Sequence, residues 1–434
     1  MPAADEEPSD GARGGGAPAC AVAGCARATV AWAALAALTF ALSFPLNETF
    51  VAGWPLAFAW PALLALAARR APSGRTLAVA IAATFGAAYL AHEWWMAEVT
   101  ALGMPVLVAY LAGWTALLAL LVRALAGTAA RPGWPLAAAL PVALVAIEFL
   151  RGDLVCTGYA WFFAAHPLVE FPLVAQLASL GGGWLVSAFA AATAGGLLDA
   201  ILRPAARVRA LAFLAAIWAI TLGWGAHRLA TERALDASFA GERPALLAVQ
   251  TDLPMSNKLA WEPEAQVRDF ESFARLTIGG ARAARDGGRA IDLALWPETT
   301  VPGLGLEPEA LATLVDGGFY PGDRYAEALR ELARIVEAPL LVGSPAFLGL
   351  RVDAEARRFR WDRQYNSAYL VGPDGPRGRT DKIFLTPFGE TMPVISNWDW
   401  LEQALLDLGA NGMTFDLDAA ERPERFAVEV ARRG

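Results

Sequence analysis

Seven apolar segments dominate the first half of the chain, at roughly 28–46, 51–68, 76–96, 104–125, 134–150, 174–202 and 210–226. Each approaches the ~20 residues a helix needs to cross a bilayer, which commits this half of the chain to helices packed in lipid. Pro in the second and fifth segments does not oppose this, because membrane helices tolerate it. Composition agrees. Hydrophobic residues make up 56% of the 434 residues and charged residues 18%, against about 25% charged in soluble domains.

The loops between the segments set an orientation. Arg69, Arg70 and Arg75 follow segment two, Arg123 and Arg131 follow segment four, and Arg203, Arg207 and Arg209 follow segment six. The loops after segments one and three carry no Lys or Arg, and the loop after segment five carries only Arg151. By the positive-inside rule the Arg-bearing loops are cytoplasmic. An odd number of crossings then places everything after residue 227 on the outer side. Residues 1–27 read as a disordered cytoplasmic tail rich in Gly, Ala, Pro and acids. VAGC, ending at Cys25, is not a lipoprotein-processing box, because EEPSDGARGGGAP rather than an apolar run precedes it.

Polar residues collect at the outer ends of odd-numbered segments. His92 and Glu93 precede Trp94 and Trp95, and Glu148 and Arg151 stand three apart on segment five. An interfacial belt with a snorkelling ion pair and a functional site both fit these residues. TGYAWFFAAHPL (157–168) is too short to span and is expected at the outer leaflet surface.

From about residue 243 the period changes. PALLAVQTDL (244–253), IDLALWPE (291–298) and PLLVGSPAFL (339–348) read as buried strands, and EAQVRDFESFARLTIGGARAARDG (264–287) and GDRYAEALRELARIVEA (322–338) as amphipathic helices. RFRWDRQYNSAYLVGPDG (358–375) reads as strands ending in a turn, NWDWLEQALLDL (397–408) as a helix, and TFDL and RFAVEVA as short strands. Strands alternating with helices give an α/β layered domain over 243–434.

Glu298 ends one of these strands, where α/β proteins deliver functional groups. Lys382 opens DKIFLTPFGE, and Glu390 follows it eight residues later. A solvated strand end accounts for Glu298 alone, or for Lys382 alone; the chemistry lies in the combination. Three cysteines (Cys20, Cys25, Cys156) and three histidines (His92, His166, His227) are too scattered for a disulfide framework or a zinc site. A net charge of −8 without a basic patch excludes a nucleic-acid surface.

WPE at Glu298 and the K-x7-E spacing in DKIFLTPFGETMP resemble the nitrilase superfamily. With a multi-span domain in front, the chain resembles apolipoprotein N-acyltransferases. FAWPALLALAARR, IEFLRGDLVCTGYAWFFAAHPL, VQTDLPMSNKLAW and RQYNSAYLVGPDG carry the resemblance along about residues 30–434. It implies an αββα nitrilase-like sandwich behind a membrane domain (28–227), in a monomer of the bacterial inner membrane with its catalytic domain periplasmic. It also implies a phospholipid acyl donor, diacylated apolipoproteins as acceptors, a thioester intermediate, and no cofactor or metal. Carried over, Glu298 is the general base, Lys382 stabilises the oxyanion, Glu390 holds the lysine and Trp261 lines the acyl-chain entrance.

The family's nucleophile is a cysteine after the lysine segment. This sequence has none after Cys156, which reads as a small buried apolar residue. The expectation is a chain truncated before that cysteine. The alternatives are a membrane-anchored amidase and an inactive scaffold that binds lipid or lipoprotein. A transporter fits less well, since no unpaired mid-membrane charge or internal repeat is evident.

Overall fold

The structure, a computed structural model, describes residues 19–45, 53–239, 243–251, 253, 261–353, 358–387, 389–391, 398, 400 and 417–429. The chain divides into two compact units. One comprises 1–94, 104–152 and 160–229, and the other 95–103, 153–159 and 230–434.

The first unit is helical: α1 (Ala19–Ser43), α2 (Ala59–Arg70), α3 (Gly74–Glu93), α4 (Gly103–Ala126), α5 (Leu136–Phe149), α6 (Ala178–Leu202) and the start of α7 (Arg207–Ser238). Among the described residues five helices are long and apolar enough to cross a membrane, at 24–43, 74–93, 103–126, 178–202 and 204–238. The chain is in these terms a multi-pass membrane protein. The second and fifth apolar segments instead form the shorter helices α2 and α5, of 12 and 14 residues. A 3₁₀ turn, Trp54–Phe58, precedes α2, and a π turn, Leu150–Leu154, extends α5. Helix α1 begins at Ala19, earlier than the tail boundary read from composition.

Arginines from the Arg-bearing loops bind helix ends. Arg123 Nη1 donates to the carbonyls of Ala68 and Ala71 at the end of α2, both at 2.8 Å. Those carbonyls have no intrahelical partner, so a guanidinium is a natural cap. Arg203 donates to Trp134 O at 2.9 Å and pairs with Asp199 at 3.3 Å. Asp199 in turn accepts from Ala137 N at 2.9 Å, which places a carboxylate at the α5 N-terminus. Helices α5 and α6 cross closely because Gly195 has no side chain; a Cβ there would stand 2.2 Å from Leu136 O.

The segment 157–168 packs partly into the protein, although Trp161 is exposed. Phe163, Ala164, Ala165 and Leu168 are buried. Ala164 N donates to Glu148 Oε1 at 2.8 Å, Ala165 N donates to Ser187 Oγ at 3.0 Å, and the Arg151 guanidinium lies over the Phe163 ring. Gly152 makes room for that ring, since a Cβ would meet Phe163 Cζ at 2.3 Å. Glu148 and Arg151 are therefore both buried within the protein, where they contact this segment. Glu93 is also fully buried, and His92 Nε2 lies 3.1 Å from Ala41 O.

The second unit holds a mixed sheet in the order β1-β2-β3-β6-β7. Its strands are β1 (Leu246–Ala248), β2 (Leu293–Leu295), β3 (Leu340–Leu348), β6 (Arg363–Gly372) and β7 (Gly375–Asp381); β4 (Arg351–Asp353) and β5 (Arg358–Arg360) form a separate hairpin. β1, β2 and β3 run parallel, and β3, β6 and β7 antiparallel. Helices α8 (Pro263–Asp286) and α10 (Arg324–Val336) supply Phe270, Phe273, Leu329 and Leu332 to a core shared with Ala294, Val342 and Tyr369. A further helix, α9 (Pro308–Asp316), was not read from the sequence. It has Pro in its first turn and Gly317 just past its end.

The helix read over 397–408 lies outside the described residues except Trp398 and Trp400. Residues 425–429, read as a strand, belong to no strand here. Residues 417–420 instead run beside the sheet, with Asp418 N bonded to Gln364 O at 2.7 Å and Ala420 N to Lys382 O at 3.0 Å.

Candidate active site

Glu298 leaves the sheet three residues past the end of β2. Trp296 anchors the approach. Its ring stacks on Phe273 with centroids 5.0 Å apart, and its indole N–H donates to Thr277 Oγ1 at 2.9 Å. The chain then turns sharply. Thr299 has φ 53°, and the amides of Thr300 and Val301 both donate to Gly343 O at 2.9 Å. Gly343 lets this turn lie directly on β3, because a Cβ there would stand 2.5 Å from Pro297 O and 2.7 Å from Glu298 Cα. The sequence WPETTV thus needs its glycine partner on the neighbouring strand.

Lys382 follows the last residue of β7, and its N–H donates to Asn366 O at 2.8 Å, continuing the ladder with β6. The strand-like segment read after Lys382 is a turn-rich loop, with Gly389 N and Glu390 N both bonded to Thr386 O. Pro387 in this loop cannot donate to a ladder. The turn returns Glu390 to the lysine that it follows by eight residues.

Three of the four residues singled out from the sequence meet. Lys382 Nζ donates to Glu298 Oε1 at 3.0 Å and lies 2.8 Å from Glu390 Oε2. Glu390 Oε2 also accepts from Thr386 N at 2.8 Å. A fourth side chain joins them. The Asn366 amide donates to Glu298 Oε1 and, at 2.8 Å, to Glu390 Oε1. It bridges the two carboxylates that flank the lysine. Asn366 stands in RQYNSAYLVGPDG, one of the stretches that carry the resemblance, and the sequence alone gives it no role. Its signal was an amide in the interior of a strand, where it must find a partner.

Burial grades across the cluster. The side chains of Glu390, Lys382 and Glu298 are 15%, 28% and 56% exposed. Glu298 is therefore the member open to a reactant. Among the described residues both of its hydrogen bonds end on Oε1. Burial works against the Lys382 ammonium, but the hydrogen bonds and charges of Glu390 and Glu298 outweigh it and hold its pKa above the ordinary lysine value. Burial likewise works against the Glu390 carboxylate, and the Lys382, Thr386 and Asn366 hydrogen bonds outweigh it and hold its pKa below the usual 4.5. The cluster thus keeps a fixed ammonium beside an accessible carboxylate. That is the equipment for proton transfer next to a developing negative charge.

Trp261 stands apart from these contacts. Its indole N–H donates to Asp269 Oδ2 at 2.9 Å, and its carbonyl accepts from Gln266 Nε2 at 2.8 Å, which ties it to the first turns of α8. Among the described residues no group of three or more His, Cys, Asp or Glu is arranged to hold a metal ion.

Residues 36–196 match the family model of the apolipoprotein N-acyltransferase N-terminal domain. Named apolipoprotein N-acyltransferases match over most of the chain. The protein of Azotobacter vinelandii is 32% identical over 377 residues, 83% of this chain and 64% of its own length. Those of Geobacter metallireducens and Sinorhizobium fredii are 29% and 30% identical, over 73% and 74% of this chain and 54% and 57% of their own lengths. The chain is related to the apolipoprotein N-acyltransferases. It spans between about half and two thirds of the length of these curated relatives. The matched residues 36–196 fall on helices α1 to α6 of the membrane unit.

Proposed function

We propose that this protein transfers an acyl chain from a phospholipid to the α-amino group of a diacylglyceryl-cysteine at the N-terminus of an apolipoprotein. The observation that carries the reading is the Glu298–Lys382–Glu390 contact set, bridged by Asn366 and exposed at Glu298. The relatives' shared name and the membrane helices add support.

In this reading 243–434 is a nitrilase-like αββα domain on the periplasmic side of the inner membrane, joined to a membrane domain over 28–227. Glu298 takes the proton of a cysteine thiol as its sulfur attacks the ester carbonyl of the phospholipid. A C–S bond forms and the carbonyl oxygen becomes an oxyanion beside the Lys382 ammonium. The C–O bond then breaks and the lysophospholipid oxygen takes the proton from Glu298. In the second half the acceptor amine attacks the thioester, gives a proton to Glu298, and the thiolate leaves and is reprotonated. A thiol of ordinary pKa ~8.5 needs such a base at neutral pH, and one well-placed oxyanion donor is typically worth ~10²–10³ in rate. Glu390 and Asn366 hold the lysine and the base in place. Trp261 lines the acyl-chain entrance, a large apolar surface with its polar edge turned to Asp269. No cofactor or metal takes part, and the protein acts as a monomer.

The test is a thioester trap. The natural gene product, and separately residues 1–434, are incubated with a phospholipid carrying a labelled acyl chain. Hydroxylamine-sensitive label is expected on the gene product and absent after Glu298→Gln. Label on residues 1–434 that disappears with Cys156→Ala would move the nucleophile to Cys156. No label on the gene product would remove the acyl-transfer reading and favour a binding scaffold.

A further inference from the structure

A second polar cluster lies in the same sheet. Glu307, at the start of α9, accepts a hydrogen bond from the Tyr369 hydroxyl at 2.6 Å and pairs with the Arg379 guanidinium. Arg379 also grips Asp381, with Nε 2.8 Å from Oδ1 and Nη2 3.0 Å from Oδ2. Asp381 Oδ1 accepts from Ser367 Oγ at 2.6 Å. These side chains are mostly buried: those of Arg379, Glu307 and Asp381 are 22%, 19% and 15% exposed.

The sheet register relates this cluster to the active site. Ser367 pairs with Asp381 and Tyr369 with Arg379, while Lys382 N bonds to Asn366 O. Successive residues of a strand face opposite sides. Asn366 and Lys382 thus share one face, and Ser367, Tyr369, Arg379 and Asp381 share the other. The two clusters stand back to back on adjacent residues of the same two strands. They also share a loop. The segment that begins with Pro297 and Glu298 ends at Glu307, where Gly305 (φ 110°) turns the chain.

We propose that Glu307, Arg379 and Tyr369 are positioning residues for the site, a clamp that fixes the far end of the Glu298 loop to the strands that carry Asn366 and Lys382. This proposal rests on the acyl-transfer reading above. At its near end the Glu298 loop is held to the sheet by the two amides on Gly343 O and by Ser344 Oγ, which donates to Val301 O at 3.3 Å; the clamp holds its far end. The clamp suits the work physically. Arg379 offers a planar fork that engages two carboxylates at once, which a lysine cannot do. Burial and the adjacent Glu307 carboxylate push the Tyr369 phenol up, so it remains a donor across the physiological range. Breaking a buried paired network leaves uncompensated groups behind, so its geometry is held tightly.

Lys258 and Lys382 are the two lysines of the sequence. This permits a readout separate from turnover. In residues 1–434 carrying Lys258→Arg, reductive methylation with a ¹³C label leaves Lys382 as the single side-chain amine signal, and its pH titration reports its contact with Glu298 and Glu390. Arg379→Gln and Tyr369→Phe are compared, the second removing one hydroxyl in case the first does not fold. Both are expected to lower kcat with KM for the phospholipid unchanged, Arg379→Gln by about tenfold to a hundredfold, since small misplacements of reacting groups cost that much. The Lys382 titration is expected to move down toward that of free lysine, and Arg379→Lys to recover only part of the rate. Unchanged kcat and an unchanged Lys382 titration in the folded Tyr369→Phe and Arg379→Lys variants would overturn the proposal. If the unsubstituted gene product takes no acyl label, the acyl-transfer reading fails instead, and the Lys382 titration still decides whether the clamp holds the pair.

Discussion

Gly343 and Glu298 are a matched pair: the missing side chain of one is the space occupied by the backbone of the other, 2.7 Å from where a Cβ would be. The carboxylate reaches Lys382 only because its turn can press onto β3. Gly343→Ala must push that turn away. Overpacking of this kind typically costs about 1–3 kcal/mol. The expected outcome is a lower melting temperature together with an activity loss larger than the stability loss explains, measured by thermal unfolding and acyl labelling on one preparation. A variant with full labelling would show that the turn can shift without harm.

The ion cluster also makes a prediction for pH. The Lys382 pKa is raised in the fold, so its contribution to stability is complete below the unfolded lysine value near 10.5 and is lost as pH rises through the higher folded value. The Glu390 pKa is lowered, so its contribution is complete above 4.5 and is lost as pH falls through the lower folded value. The difference in melting temperature between the natural residue and Glu390→Gln should therefore be flat from about pH 4.5 to 10.5 and shrink outside it. Within the window the substitution should cost about 1–3 kcal/mol, the range for leaving charged partners unsatisfied. A difference that changes steadily between pH 6 and 9 would mean that another group holds Lys382.

Asn366 bridges Glu298 and Glu390 through one amide nitrogen, so its exchange for Asp tests charge at nearly constant shape. A third carboxylate there repels the other two and competes for Lys382. Asn366→Asp is expected to cut acyl labelling at least tenfold at pH 7–8, with partial recovery at lower pH as one carboxyl takes a proton. Equal loss at every pH would assign Asn366 to packing alone.

These residues also show what could be read in advance. The membrane helices were legible because lipid demands long apolar runs, and the α8 and α10 helices because one face repeats at helical spacing. Glu298 and Lys382 were legible because motif and strand-end position coincide, and Glu390 because its spacing from Lys382 fits the motif. Asn366, Gly343 and the Glu307–Arg379 clamp were not. Their meaning depends on the β3–β6–β7 register, which joins residues tens of positions apart and leaves no local pattern. The packing of 163–168 was hidden for the same reason, because its partners Glu148 and Ser187 are distant in sequence.

The orientation of the membrane unit rests on where its arginines sit. Arg123 caps α2, Arg203 reaches Trp134 at the start of α5, and Gly133 N bonds to Ala126 O at the end of α4. The ends of α2 and α4 and the start of α5 thus gather at one Arg-rich end of the unit. Moving several guanidinium groups across a bilayer is costly, so this end is expected to stay cytoplasmic. A reporter active only outside the cytoplasm should be silent when fused at residue 72 and active when fused after residue 240. Replacing Arg69, Arg70 and Arg75 together by Gln should weaken that contrast more than replacing Arg151, because only the former group lies among the loops that set the bias. Activity at residue 72 and silence after residue 240 would invert the unit. It would place Glu298 in the cytoplasm, away from exported lipoproteins.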